Sequence, residues 1–238
     1  MLEYSLFLFI FIVAACIGSF LNVLIYRLPL QQSIIWPPSS CPACRHRLAG
    51  YDLIPIISYL WLKGKCRYCQ QPIHFSYLVI ELLTGLFTLA WAFRFGLVPA
   101  AIWRLILGYG LIVIAAIDLK TYLIPNRLTY PLFLGGLIYR LSQGEIISAL
   151  LGVGIAGSVM LLMYLLYPQG IGIGDLKLLL VLGIFLGGHD VMRALFFGSL
   201  TGILILYPLV WRGRLQRHQP IPFAPFLAFG TFVVLFLP

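Results

Sequence analysis

Two aspartates stand out in a chain that holds only seven acidic residues among 238. Asp118 lies at the end of one apolar run, and Asp175 follows a glycine-rich turn at 170–174 and opens another run. If the two side chains meet where the dielectric constant is low, they cannot both ionise easily, so one holds a proton while the other stays anionic. This pair predicts a centre that activates water by acid and base catalysis.

Each aspartate also has a structural interpretation. Asp175 follows a glycine at a helix start, where an N-cap aspartate accepts backbone N–H bonds. Asp118 can simply mark the point at which a span leaves the membrane. Two shared features favour chemistry: each aspartate is followed two residues later by a lysine, Lys120 or Lys177, and ionisable groups at membrane depth are usually functional.

The glycines of the turn suggest how a substrate is held. Gly172 and Gly174 have no side chains, so an extended substrate segment can lie close against the turn. A peptide bond inside a helix is shielded from attack, and irregular backbone at this depth must line a water-filled cavity or be surrounded by protein. We therefore expect Gly172, Gly174 and Lys177 to help position a substrate.

The composition predicts the elements that must carry these residues. With 61% hydrophobic and 10% charged residues and a mean hydropathy of +1.01, the chain has more apolar surface than one soluble core can hide. The predicted fold is an all-α polytopic membrane protein with about eight transmembrane helices. The spans are 4–26, 77–93, 100–117, 128–141, 146–167, 176–186, 191–211 and 221–237. The short spans 128–141 and 176–186 must be shielded by neighbouring helices or lie across a locally thin region of the bilayer.

The basic residues predict the orientation of these spans. The net charge of +9 comes from Lys and Arg in short loops between spans, which indicates membrane topology and argues against nucleic acid as a partner. Of the 16 basic residues, all except four fall in or beside loops that alternating spans place on the same side of the membrane. Those four are Arg94, Arg104, Arg140 and Arg193. The positive-inside rule then places both termini outside the cell membrane, and it places the loop 27–76, Asp118 and Asp175 on the cytosolic side.

The largest loop, 27–76, separates the first span (1–26) from the remaining spans (77–238). It contains Cys41-Pro-Ala-Cys44 and Cys66-Arg-Tyr-Cys69, and it is too small to build a hydrophobic core without a staple. Two C-x-x-C pairs at this spacing predict a structural zinc site. The alternatives are a coincidental pairing of the cysteines and a disulfide, and the disulfide is disfavoured because thiols in a cytosolic loop stay reduced.

Several motifs resemble those of bacterial type IV prepilin peptidases, a family of membrane aspartic proteases with a Gly-x-Gly-Asp motif. The matching stretches are Gly18-Ser19-Phe20-Leu21-Asn22 with Arg27-Leu28-Pro29, the two cysteine pairs, Ile117-Asp118, and Gly172-Ile173-Gly174-Asp175. One departure is Ala224 in Phe223-Ala224-Pro225, where the family commonly has Gly. We expect Ala224 to lie away from the aspartates.

The resemblance implies a reaction and a client. It implies an aspartic endopeptidase, with Asp118 and Asp175 as catalytic residues, that removes the basic leader of prepilins or type II secretion pseudopilins at the cytosolic face of the bacterial inner membrane. It also implies N-methylation of the new N-terminus with S-adenosylmethionine as methyl donor. Glu81 is the candidate for contacting a leader charge or the methyl-transfer substrate. Its structural alternative is an intramembrane pair with a basic residue or a tyrosine.

Two other classes of function are open from the residues themselves. A proton-coupled transporter would use Asp118 and Asp175 as relay groups. The spans show no clear internal repeat, however, and both acids lie near the interface, away from the bilayer midplane. In a non-enzymatic assembly factor, the cysteine loop would be the docking module, and the aspartates would be dispensable.

Overall fold

The computed structural model describes residues 2–167, 172–213 and 220–237, and regular structure in these ranges is helical. The α-helices in the described ranges are α1 (Leu2–Arg27), α2 (Ile57–Trp61), α3 (Ser76–Phe95), α4 (Pro99–Thr121), α5 (Asn126–Ser142), α6 (Ile146–Leu166), α7 (Ile173–Leu186), α8 (Gly188–Trp211) and α9 (Ala224–Phe236). The predicted all-α class is confirmed, and each predicted span overlaps one helix, the shortest of which has 13 residues. The short helix α2 lies in the cysteine loop and was not predicted.

Five of these helices, α1, α3, α4, α6 and α8, are long and apolar enough to cross a membrane unaided. The helix α7 has only 14 residues, so it is about 21 Å long and shorter than the hydrocarbon layer. Its residues from Leu178 to Leu186 are buried except Leu180, and it packs against α5, α6, α8 and α9. The predicted shielding of this short span is therefore confirmed.

The chain divides into two compact units, 1–101 and 102–238. In the first unit, α1 packs along α3. The two backbones approach closely at Gly18, where a Cβ atom would lie 2.8 Å from the Cα atom of Glu81. Small residues at a crossing allow such contact between membrane helices. The cysteine loop belongs to this unit as well.

In the second unit, a buried arginine closes the far end of α7. Arg140 of α5 donates from Nε to the carbonyl oxygen of Ile184 at 3.2 Å, and from Nη2 to that of Phe185 at 2.6 Å. It also forms an ion pair with Glu145. The last carbonyl groups of a helix have no partner within the helix. Arg140 donates hydrogen bonds to two of these carbonyl groups, and it thereby fixes the C-terminal end of the helix that carries Asp175.

Candidate active site

Asp118 lies in the last turn of α4, and its side chain holds the start of another helix. The residue is only 5% exposed, and its Oδ2 atom accepts the backbone N–H of Ala224 at 3.0 Å. Ala224 is the first residue of α9 and is fully buried. The first N–H groups of a helix lack partners within it, and a carboxylate interacts favourably with that end of the helix dipole.

The expectation that Ala224 lies away from the aspartates is wrong, because its N–H group contacts Asp118 directly. The sequence did contain one usable signal. Pro225 follows immediately, and a proline in the first turn marks a helix start. A helix start within an apolar segment requires an acceptor for its N–H groups. The sequence separation of 106 residues gave no indication that Asp118 would be that acceptor.

Asp175 lies in the first turn of α7 and is half-buried. It is the third residue of the helix, whereas Gly172 occupies the N-cap position that the structural interpretation gave to Asp175. The N–H group of Gly172 donates to the Asp175 carboxylate, and the charge of Asp118 acts on Asp175. The structure therefore brings the two predicted carboxylates within electrostatic reach of each other.

The turn before α7 is described from Gly172 onward, and Gly170 and Ile171 lie outside the described residues. A Cβ atom on Gly174 would lie 3.0 Å from the Cβ atom of Ile124, so this glycine lets α7 pack against the loop after α4. A Cβ atom on Gly172 would lie 3.1 Å from Oδ2 of Asp175. Both glycines thus make room for atoms of the chain itself, and a contact with substrate stays a prediction.

Lys177 joins α7 to the start of α5. Its Nζ atom donates to Oδ1 of Asn126 at 2.8 Å and lies 5.6 Å from the centre of the Tyr130 ring. The cation–π distance is within the range in which such pairs attract. The lysine therefore helps to orient the first turn of α7, and a role in holding substrate stays a prediction.

Glu81 forms a separate buried site in the first unit. The residue is 8% exposed, and its Oε2 atom accepts the backbone N–H of Ile56 at 2.7 Å. The Ser19 hydroxyl of α1 also donates to it. In the part of the chain that the structure describes, no basic side chain forms an ion pair with Glu81.

The four cysteines of the loop come together as predicted. Their Sγ atoms all lie within 4.8 Å of one another, and those of Cys41 and Cys69 are 3.8 Å apart. A tetrahedral zinc–thiolate centre, with bonds of about 2.3 Å, requires sulfur atoms about 3.8 Å apart. Burial opposes ionisation of Cys41, but N–H groups of Cys44 and Ala43 lower its pKa to about 7, which favours the metal-binding thiolate.

The two cysteine pairs lie in matching turns. Arg45 and Gln70, each four residues after the first cysteine of its pair, donate their N–H groups to the carbonyl oxygens of Cys41 and Cys66. Both have positive φ values, 59° and 60°. Short antiparallel bridges flank the two turns at corresponding positions, 40 with 47 and 65 with 72. Two copies of one turn thus present four thiols to a common point, which fits a metal ion such as zinc.

Comparison with known families agrees with this division into two units. A family model described as the bacterial peptidase A24 N-terminal domain matches residues 12–95. A second model, described as the type IV leader peptidase family, matches residues 105–207. The first match contains Glu81 and the four cysteines, and the second contains both aspartates.

Relatives match nearly the whole chain. A prepilin leader peptidase/N-methyltransferase of Burkholderia pseudomallei is 33% identical over 96% of this chain and 84% of its own. One from Aeromonas hydrophila is 34% identical over 98% and 91%, and one from Dickeya chrysanthemi is 37% identical over 89% and 86%. No solved structure matches the chain. With two family models and these relatives in agreement, the chain belongs to the type IV leader peptidase family.

Proposed function

We propose that the chain is an intramembrane aspartic endopeptidase that removes the basic leader of type IV prepilins or of type II secretion pseudopilins. The observation that carries this proposal is the pairing of Asp118 with Asp175. These two acids come from separate helices, Asp118 is buried, Asp175 is half-buried, and the two carboxylates lie within electrostatic reach of each other. The relatives' names supply the substrate class.

The hydrogen bond at Ala224 suggests how the roles divide. Oδ2 of Asp118 accepts an N–H group at a helix N-terminus, an arrangement that favours the anion. Asp118 then takes a proton from water as the water oxygen attacks the scissile carbonyl carbon. Protonated Asp175 donates to the carbonyl oxygen. When the C–N bond breaks, Asp118 returns its proton to the leaving amine and Asp175 recovers the proton from the tetrahedral intermediate.

The protein is a multi-pass protein of the inner membrane, and we propose that both termini face the periplasm. The cysteine loop and the ends of α4 and α7 that carry the aspartates would then face the cytosol, where a basic leader is found. The excess of Lys and Arg in the loops on that side supports this orientation.

We further propose that Glu81 contacts a positive charge of the substrate, either on the leader or on the amine to be methylated. Of the two acids between α1 and the end of α3, Asp52 is already bound to Arg67 at 2.7 Å. Glu81 has only a hydroxyl and an N–H group as described partners. S-adenosylmethionine would supply the methyl group when bound, and Glu81 would hold the amine and accept its proton.

The metal of the cysteine loop is, in this proposal, a structural zinc ion held by Cys41, Cys44, Cys66 and Cys69. A closed set of four thiolates leaves no coordination position for a substrate. The ion would therefore replace the hydrophobic core that this short loop lacks, and it would take no part in either reaction.

Incubation of the purified enzyme in lipid vesicles with a prepilin tests the proposal. Mass spectrometry of the new N-terminus reports the cut and any added methyl group. We expect Asp118→Asn and Asp175→Asn to abolish cleavage. We expect Glu81→Gln to release an unmethylated N-terminus, or to weaken leader binding and raise KM. Normal processing by either aspartate variant, at equal protein amount, would refute the catalytic pair.

A further inference from the structure

The short helix α2 exposes an apolar face in the middle of the cysteine loop. Ile57, Leu60 and Trp61 have the i, i+3, i+4 spacing that places side chains on one side of a helix. They are 62%, 61% and 80% exposed, respectively. The helix packs against the turn at Gly50–Leu53, which leaves this face uncovered in the part of the chain that the structure describes.

The position of α2 is fixed by the membrane helices of its own unit. Ile56, its N-cap residue, donates its N–H group to Glu81 at 2.7 Å. Glu81 is the sixth residue of α3, so it lies about 7.5 Å along that helix from Ser76. Ser19, which also bonds to Glu81, lies eight residues before the end of α1, or about 12 Å inside it. The start of α2 therefore lies nearer to the middle of the two membrane helices than the end of α1 does.

The backbone at this point is held in a costly conformation. Ile56 has φ +64° and ψ −54°, and the N–H of Ile57 bonds to the carbonyl oxygen of Pro55. This is the rare γ-turn with positive φ, which is strained for a β-branched residue. The bond from the N–H group of Ile56 to Glu81 helps to hold this conformation, and with it the start of α2.

The basic residues next to α2 indicate which kind of partner covers its apolar face. Lys63 and Lys65 follow the helix and are exposed. Exposed lysines beside a tryptophan and aliphatic side chains are typical of segments that lie in the interface of a bilayer with anionic lipids. A helix of five residues is about 7.5 Å long, which is far too little to supply the roughly 800 Å² per partner of a stable protein interface.

We propose that α2 is an interfacial helix, with Ile57, Leu60 and Trp61 in the lipid headgroup layer on the side where α1 ends, and with Lys63 and Lys65 on anionic headgroups. The loop that carries the cysteines is thereby attached to the membrane at a third place besides α1 and α3. This inference needs only the membrane-spanning character of α1 and α3, so it stands apart from the proposed reactions.

Fluorescence quenching in vesicles tests it. The full-length protein is reconstituted in phosphatidylcholine with phosphatidylglycerol, and the quencher is lipid brominated at the headgroup end of the acyl chains. We expect Trp61→Phe to remove a strongly quenched component from the emission. Trp91→Phe is the matched control, because Trp91 is 1% exposed, and its removal should leave that component in place.

Two further measurements keep the test decisive. Substitution of Lys63 and Lys65 by glutamine should reduce the quenching of Trp61 in vesicles with phosphatidylglycerol and leave it unchanged in phosphatidylcholine alone. Iodide in the aqueous phase should not quench Trp61. Quenching of Trp61 by iodide and not by brominated lipid would overturn the proposal, as would protection that requires a prepilin or higher protein concentration.

Discussion

Two substitutions of Asp118 should have the same effect on cleavage and different effects on stability. Asp118→Asn keeps a side-chain oxygen that can accept the N–H group of Ala224, but it removes the negative charge and the base. Asp118→Ala removes the acceptor as well. Both variants should fail to cut a prepilin, because neither can take a proton from water.

The size of the stability difference follows from the buried hydrogen bond. Asp118 and Ala224 are 5% and 0% exposed, so the N–H group of Ala224 is shielded from bulk water and has no other described acceptor. A buried N–H group without a partner costs about 1–3 kcal/mol. The weaker interaction of a neutral amide with the α9 dipole costs less, about 0.3–1 kcal/mol. Asp118→Ala loses both interactions, so it should be less stable than Asp118→Asn by the cost of the unpaired N–H group, about 1–3 kcal/mol.

Reversible unfolding in detergent measures the stability, and mass spectrometry of a prepilin measures the cleavage. Ala224→Gly is the control, because it keeps the N–H group and should keep cleavage. Equal stability of the Asn and Ala variants would show that the bond to Ala224 does not support α9. Cleavage by either variant would show that Asp118 is not the base.

Three other predictions concern the rest of the site. Asp175→Asn should abolish cleavage with little loss of stability, and cleavage assays at matched protein amounts check this. Purified protein should hold about one zinc ion per chain, as measured by elemental analysis. Cys41→Ser should lose the ion. Cys16→Ser, at an exposed position on α1, is the control and should keep it. Arg140→Leu should destabilise the protein by about 3 kcal/mol or more, because two charged hydrogen bonds are lost. Arg140→Lys should recover part of that loss in the same unfolding assay.

Long apolar segments made the helices predictable. Eight runs of apolar residues gave eight helices, because a chain in lipid must satisfy its backbone hydrogen bonds within each segment. The helix α2 escaped prediction, since five residues are too few to show a period. Its position depends on the bond between Ile56 and Glu81, which no local pattern encodes.

The cysteine cluster could be predicted from the sequence more directly than the aspartate pair. Each C-x-x-C pair is a local motif, and the matching turns at Cys41 and Cys66 form from adjacent residues. The approach of Asp118 and Asp175 depends on how the loop after α4 packs against the start of α7, and it was inferred from the rarity of acidic residues and from the family motif. The role of Ala224 was missed, because its contribution is a backbone N–H group, which every residue except proline possesses.

Each unit of the protein holds a buried acid by the same physical means. Asp118 accepts the N–H group of Ala224 in the second unit, and Glu81 accepts that of Ile56 in the first. In both cases the donor belongs to a distant segment, so each acid also fixes the backbone there; the N–H group of Ala224 is buried and that of Ile56 is part-buried. An acid used in this way is desolvated and oriented before a substrate arrives, which is what acid and base chemistry requires. It follows that replacement by alanine confounds loss of chemistry with loss of structure, whereas the isosteric amides separate them.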